Sequence, residues 1–239
     1  MRITVGNTYY TEINEQVRNT ADTDIILDEV YGQRYIGCGV SGKKIIVNGT
    51  PGNALGAYMN GADIVVNGNA QDATGDTMND GSIIIHGNCG DTTGYGMRGG
   101  KIFIKGNAGY RVGIHIKEYR EQKPVVIVGG KTGDFLGEYL AGGVVIVLGI
   151  GAEGVPVGNY CGTGMHGGVI YLRCEDAPAG LPPQVSVETA AETDKKLIEG
   201  HIAEFCDNFG YNKDELLKDN FIKLTANTKN PYKQLYTHN

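Results

Sequence analysis

The chain has 239 residues, a mass of 25.5 kDa and a formal net charge of -6. That acidic balance argues against a nucleic-acid partner, whose phosphates need a basic face, and a hydrophobic content of 41% excludes disorder. Glycine is the outlier at 38 residues, but no Gly-X-Y period runs through the chain, which excludes collagen.

Thr11 is placed to cap a short helix from Glu12 to Arg18, with Ile13 and Val17 on one face. Short β-branched runs then begin at Ile25, Ile45, Ile64, Ile83, Ile102, Val125, Val145 and Ile170, in steps of 20, 19, 19, 19, 23, 20 and 25 residues. Runs of three or four such residues suit strands and are too short for helices. A near-fixed period of this size signals a solenoid, because one coil cannot bury its own apolar face and stacking buries each face on the next.

Other residues keep the same phase. Met59, Met78 and Met97 are 19 apart, with Leu140 and Met165 at the matching place in later copies, and they predict an interior column. Asn69, Asn88 and Asn107 are also 19 apart and predict a ladder of amide hydrogen bonds along a turn. Glycine triplets recur at Gly49, Gly52, Gly56; Gly87, Gly90, Gly94; Gly106, Gly109, Gly113; Gly130, Gly133, Gly137; and Gly151, Gly154, Gly158. Gln71 replaces the middle glycine in one copy. The triplets are read as sites of positive φ, where the chain turns sharply. The expected fold is all-β: a single-stranded right-handed parallel β-helix of about eight coils. Leucine-rich repeats fail for lack of leucine, hexapeptide helices because 19 is not a multiple of six, and calcium-binding nonapeptides for lack of their motif.

Pro178, Pro182 and Pro183 mark a linker. Leu197, Ile198, His201, Ile202, Phe205, Cys206 and Phe209 recur at helical spacing, and Gly210 stops that helix. A shorter helix is expected around Asp214 to Leu217, and the tail from Ala226 to Asn239 is polar but carries Tyr232 and Tyr236. The expected organisation is a capping segment at 1–20, the solenoid at 21–175 and a helical and extended extension at 176–239. The end segments should cap the open strand edges or dock a partner.

Signals for chemistry are sparse. Gly94-Tyr95-Gly96-Met97-Arg98-Gly99 and Gly149-Ile150-Gly151-Ala152-Glu153-Gly154 resemble dinucleotide fingerprints, with Glu175 near the place of a ribose-binding acid. Val155-Pro156-Val157-Gly158 is a poor opening for the helix that would hold a pyrophosphate, so both read as turns of the repeat. Cys38, Cys89, Cys161, Cys174 and Cys206 form no Cys-x-x-Cys pair, and neither a zinc ribbon nor an iron–sulfur cluster is signalled. No metal site is expected among the five histidines. Cys161 with His166 nearby in sequence is the one arrangement that would make the chain an enzyme by itself. No apolar run reaches the ~20 residues of a membrane span, and the start lacks a signal-peptide core, so the expected place is the cytoplasm.

The most informative irregularity is the 23-residue step. The segment from Tyr110 to Lys123 gathers Arg111, His115, Lys117, Glu118, Tyr119, Arg120 and Glu121. Departures from a repeat map to loops on one face, often the binding face. Arg111, His115, Lys117, Glu118 and Tyr119 are therefore the candidate partner interface, and 150–165 is the second candidate surface.

The recurrent Gly-x-x-Gly-x-x-x-Gly triplet, with Gly133-Asp134-Phe135-Leu136-Gly137-Glu138-Tyr139-Leu140-Ala141-Gly142-Gly143 and Gly162-Thr163-Gly164-Met165-His166-Gly167-Gly168, resembles the GXGXG β-helix domain of the glutamate synthase large subunit. The same module is similar to a subunit of formylmethanofuran dehydrogenase. The Glu12-to-Arg18 segment and the long extension favour the first. Glutamate synthases make glutamate from glutamine and 2-oxoglutarate, with an amidotransferase and a barrel domain carrying FMN and an iron–sulfur cluster. There the β-helix domain packs the others together. The length here leaves no room for those domains. The resemblance implies a non-catalytic structural subunit that binds no cofactor, with FMN and iron–sulfur on amidotransferase and flavin-barrel partner subunits. A homo-oligomer and a scaffold role in another redox complex stay open.

Overall fold

The computed structural model describes residues 1–227, so Tyr232 and Tyr236 lie outside the described residues. Among those residues the protein is an all-β molecule: one 11-stranded, mostly parallel sheet in the order β1-β2-β3-β4-β5-β6-β7-β8-β9-β11-β10. β1 (Arg2–Thr4) begins at the edge beside β2 (Asp24–Tyr31), followed by β3 (Lys44–Thr50), β4 (Asn60–Asn67), β5 (Asp80–Ile85), β6 (Lys101–Ile104), β7 (Val125–Val128), β8 (Ala141–Val147) and β9 (Gly167–Arg173). β10 (Val185–Thr189) and β11 (Phe221–Ala226) close the far edge antiparallel.

The repeat sets the register. Ile25, Ile45, Ile64, Ile83 and Ile102 lie opposite one another on successive strands. The column continues through Val126, Val145 and Ile170, so Val125 is one residue out of phase. Valine fills both Val125 and Val126, and a continuous apolar run does not reveal which residue faces inward. The inward columns begin at Ile25 and Leu27 and run through the sheet into one large core. Met59, Met78, Met97, Leu140 and Met165 are fully buried in it, with Ile116 taking the place between Met97 and Leu140.

Pairing does not stop where the strands end. In the turns, Gly56 N donates to Ile36 O at 2.8 Å, Gly75 N to Leu55 O at 2.8 Å and Gly94 N to Thr74 O at 2.8 Å, always to the preceding repeat. Ala54, Ala73, Thr92, Arg111 and Phe135 point the other way, their N–H groups donating to Asp72, Asp91, Tyr110, Asp134 and Asn159 of the following repeat. Each has φ between 56° and 63°. A left-handed residue flips its amide, and the repeat uses this to satisfy donors in both directions.

The triplet glycines divide into two kinds. In four of the five sets the third, such as Gly94 at φ 74°, has the predicted positive φ, and the first two are needed for space. The set at Gly151, Gly154 and Gly158 is reversed: the first two have positive φ in open space, and a Cβ on Gly158 would lie 2.2 Å from Asp134 Oδ1. A Cβ on Gly87 would lie 2.3 Å from Asn69 Oδ1, and one on Gly106 would lie 2.2 Å from Asn88 Oδ1. Those oxygens are occupied: Asn88 N donates to Asn69 Oδ1 and Asn107 N to Asn88 Oδ1, each at 2.8 Å. The Asn column is thus a side-chain-to-backbone ladder, not the expected amide-to-amide one. An amide-to-amide contact occurs in another column, Asn67 Nδ2 to Asn48 Oδ1 at 2.7 Å.

α1 (Tyr10–Asn19) buries Ile13 and Val17 as expected, but its N-cap is Tyr9 and Thr11 lies inside the helix. α2 (Glu192–Phe209) ends at left-handed Gly210, and α3 (Lys213–Lys218) follows. α2 does not sit over the end of the stack. Its Ile198, Ile202, Phe205 and Phe209 cover the outward residues Phe103, Ile127, Ile146 and Tyr171, making a second core on the outside of the sheet. Leu197 points away and is 73% exposed, against the helical-spacing reading. No helix among the described residues is long and apolar enough to cross a membrane.

Candidate functional site

The in-phase columns locate the candidate interface. Lys117 N donates to Met97 O at 3.0 Å in the same manner as Arg98 N to Met78 O, so the regular repeat continues through Lys117. Arg111, His115 and Lys117 are therefore in-phase members of the repeat, each of them exposed. The extra residues form a small hairpin at 118–122, closed by Tyr119 N to Gln122 O at 3.2 Å and Gln122 N to Tyr119 O at 3.1 Å. Glu118 anchors it by accepting from Gly143 N at 3.0 Å, and the Arg120 guanidinium lies 5.1 Å over the exposed Tyr119 ring. A short antiparallel bridge suits an insertion that must leave and re-enter the stack at neighbouring points.

Two stacked ladders run beside this hairpin. In one, the Arg111 guanidinium lies 4.8 Å over Phe135, whose ring stacks on Tyr160 at 4.9 Å. In the other, His115 stacks on Tyr139 at 5.0 Å and meets Tyr95 edge-on at 5.7 Å. The ladders are joined by Glu138. Its carboxylate accepts from Arg111 Nε at 3.2 Å and its carbonyl accepts from His115 N at 3.0 Å. Arg111, His115, Phe135, Tyr139 and Tyr160 all have left-handed backbones, which turns their side chains outward from the coil edge. Phe135, Glu138, Tyr139 and Tyr160 were not among the candidate interface residues. Carrying the Arg111 and His115 columns forward through the 24- and 25-residue steps finds Phe135, Tyr160 and Tyr139.

The structural-repeat glycines Gly87, Gly90, Gly94, Gly106, Gly109, Gly113, Gly130, Gly133 and Gly137 lie in the turns of these same repeats. Their absence of side chain lets successive ladders stack closely.

The second irregular segment forms one wall of a cleft of about 430 Å³, lined by Gly149, Ala152, Gly154, Arg173, Glu175 and Asp219 among others. No helix follows Gly149–Gly154, and Glu175 accepts from Asn220 Nδ2 at 2.5 Å. Three acids, Glu175, Asp176 and Asp219, face a space where a pyrophosphate would need positive charge.

Cys161 lies inside the stack, away from solvent. It follows Ile36, Leu55, Thr74, Thr93, Val112 and Leu136 in an interior column and is 1% exposed. Burial pushes its thiol up to about 12, the opposite of activation. His166 is tied to its own loop, Nδ1 lying 3.0 Å from Gly164 O.

The GXGXG motif family's sequence profile matches residues 2–230. The chain belongs to the GXGXG motif family. Among its relatives, the uncharacterized protein MJ1350 of Methanocaldococcus jannaschii is 42% identical over 243 aligned positions, covering 96% of this chain and 93% of that protein. Among solved structures, a chain of the formyltransferase/hydrolase complex from Methylorubrum extorquens, in complex with methylofuran, superposes with a TM-score of 0.66 at 20% identity. It covers 86% of this chain and 74% of the other, a likeness of fold. Family membership accounts for the glycine columns.

Proposed function

We propose that this GXGXG chain is a structural subunit of a multi-subunit redox complex and meets a partner through the two ring ladders and the 118–122 hairpin. The observation that carries this is the order of the surface. Stacking and the Arg111–Glu138 ion pair hold aromatic and arginine side chains in place before any partner arrives. Such side chains dominate binding energy, and fixing them beforehand lowers the entropy lost on association.

Two assemblies fit. The sequence resemblance favours a glutamate synthase-like complex in the cytoplasm, in which this chain packs amidotransferase and flavin-barrel subunits while FMN and iron–sulfur reside on those partners. The fold likeness to a formyltransferase/hydrolase complex supports the second, a formylmethanofuran dehydrogenase-type assembly. In both, residues 21–175 are read as a right-handed parallel β-helix between a capping segment at 1–20 and an extension at 176–239. The in-register parallel strands and the turn-to-turn hydrogen bonds support that reading.

Tagged full-length chain isolated from its own cells tests the proposal. A co-purifying flavin and iron–sulfur partner assigns the first assembly, and a molybdenum or tungsten partner the second. Arg111→Glu with Tyr119→Ala should release that partner while the chain keeps the wild-type circular dichroism. Retention of the partner by the double variant overturns the interface.

A further inference from the structure

The outward column that α2 covers does not end where α2 ends. On successive strands it runs Ile26, Ile46, Val65, Ile84, Phe103, Ile127, Ile146 and Tyr171. α2 lies along it, across the strands. Its N-terminal Asp194 meets Tyr171 and Lys223, Glu204 meets Lys101 at 2.5 Å, and Phe209 meets His86 on the repeat of β5 edge-on at 5.2 Å. Beyond Phe209, among the described residues, nothing is packed over the column. Ile46 is 37% exposed, and Ile26, Ile46 and Val65 line an apolar groove of about 370 Å³.

We infer that this groove binds an amphipathic helix of a partner protein, laid end to end with α2 on the same stripe. Shape supports a helix. The stripe is one residue wide between polar rails: Asp24, Lys44, Asp63 and Ser82 on one side, Asp28, Asn48 and Asn67 on the other. A helix seam fits such a strip, whereas a flat dimer face needs roughly 800 Å² per partner. From β2 to β5 it spans about 14 Å at ~4.8 Å per strand, which suits about three helical turns. Charge is mixed on the first rail, where Lys44 stands between Asp24 and Asp63. Lys44 is exposed on the rail that holds Lys101 three strands later, and Lys101 pairs with a glutamate of α2. The docked helix therefore carries an aliphatic or aromatic seam with an acid facing Lys44.

The inference deepens the assembly reading by naming the chemistry of a partner, and rests on it for that partner's existence. Its test uses the isolated chain and so fails separately. An acetylated, fluorescent peptide of the α2 sequence, residues 192–209, is the probe, because α2 already satisfies the same stripe. Full-length chain should bind it saturably, Ile46→Asp should weaken binding about tenfold, and Lys44→Glu should weaken it a few-fold. Ile46 faces outward, so Ile46→Asp should keep the wild-type circular dichroism; if it does not fold, Ile26→Asp replaces it. Absence of saturation by about 1 mM peptide, or equal binding to the variants, overturns the inference. A concentration-dependent dimer dissolved by Ile46→Asp would also overturn it, assigning the stripe to a second copy.

Discussion

At Gly90 an added Cβ would lie 2.2 Å from Asp72 Oδ1, 2.8 Å from Asp72 N and 2.9 Å from Gln71 C. Asp72 Oδ1 is held in place, accepting from Asp91 N at 2.9 Å. Gly90→Ala must therefore push two repeats apart, and the expected cost is about 2–3 kcal/mol, read as a fall of about 5–10 °C in melting temperature for a chain of this size. Removing the carboxylate as well, in Asp72→Ala with Gly90→Ala, should restore only part of the loss, because two backbone atoms still obstruct. Cys161 gives a second residue-scale outcome. At about pH 8, iodoacetamide should leave it unmodified in the folded chain and modify it in guanidinium, as mass spectrometry of the peptides would show. Rapid labelling of the folded chain would remove Cys161 from the core. The glycine positions were legible as periodic columns, but the reason for most of them was not. Periodicity reports that a side chain is unwelcome. It does not separate a dihedral requirement, as at Gly94, from an occupied space, as at Gly90.

At the scale of elements, α2 shows what spacing does and does not specify. Ile198, Ile202, Phe205 and Phe209 announce an apolar helix face, but the same pattern would suit an end cap, a partner or the outer sheet face. The opposing surface decides, and it was hidden in Phe103, Ile127, Ile146 and Tyr171, which in a buried strand resemble inward residues. Asp194 fastens the start of the helix. It accepts from Ala191 N at 3.0 Å and pairs with Lys223 at 2.9 Å. The hydrogen bond from Lys223, more than the other contacts, holds the Asp194 carboxyl below the ordinary 3.8. Its contribution is therefore complete above that value and is lost as pH falls through the lower folded value. Lys223 is raised above 10.5, chiefly by the same bond, so its share is complete below 10.5 and lost as pH rises past the folded value. Asp194→Asn should cost about 1–2 kcal/mol at neutral pH. Thermal melts should show a constant gap from the wild type between pH ~5 and ~9, narrowing in acid below the ordinary carboxylate value. A gap that persists undiminished in strong acid would remove the carboxylate from the account. Gly200, exposed in the middle of α2 with nothing within 4 Å of an added Cβ, gives the contrary sign. Gly200→Ala should stabilise by up to about 1 kcal/mol.

For the whole molecule, the sheet has two unlike ends and one covered side. β1 borders β2 by a parallel pairing of three residues, while at the far end β11 and β10 turn the direction antiparallel and finish the sheet. The stretch after Glu175 thus supplies both the last strands and the outer cover. Deleting it leaves β9 with an open edge, and exposes Phe103, Ile127 and Ile146, each fully buried in the intact chain. Burial of side chains of this size contributes about 1.5–3 kcal/mol each, so three of them with Tyr171 approach the whole stability of a typical domain, about 5–15 kcal/mol. An unpaired strand beside an uncovered apolar face also recruits other chains. A chain ending at Glu175 should therefore form soluble oligomers or precipitate and bind anilinonaphthalene sulfonate. Monomeric, cooperatively melting 1–175 would mean that the stacked repeats carry their own stability and that α2 is an accessory. The inward columns argue that the stack forms its register unaided. The outward column, apolar from Ile26 to Tyr171, argues that it does not stay single without a cover.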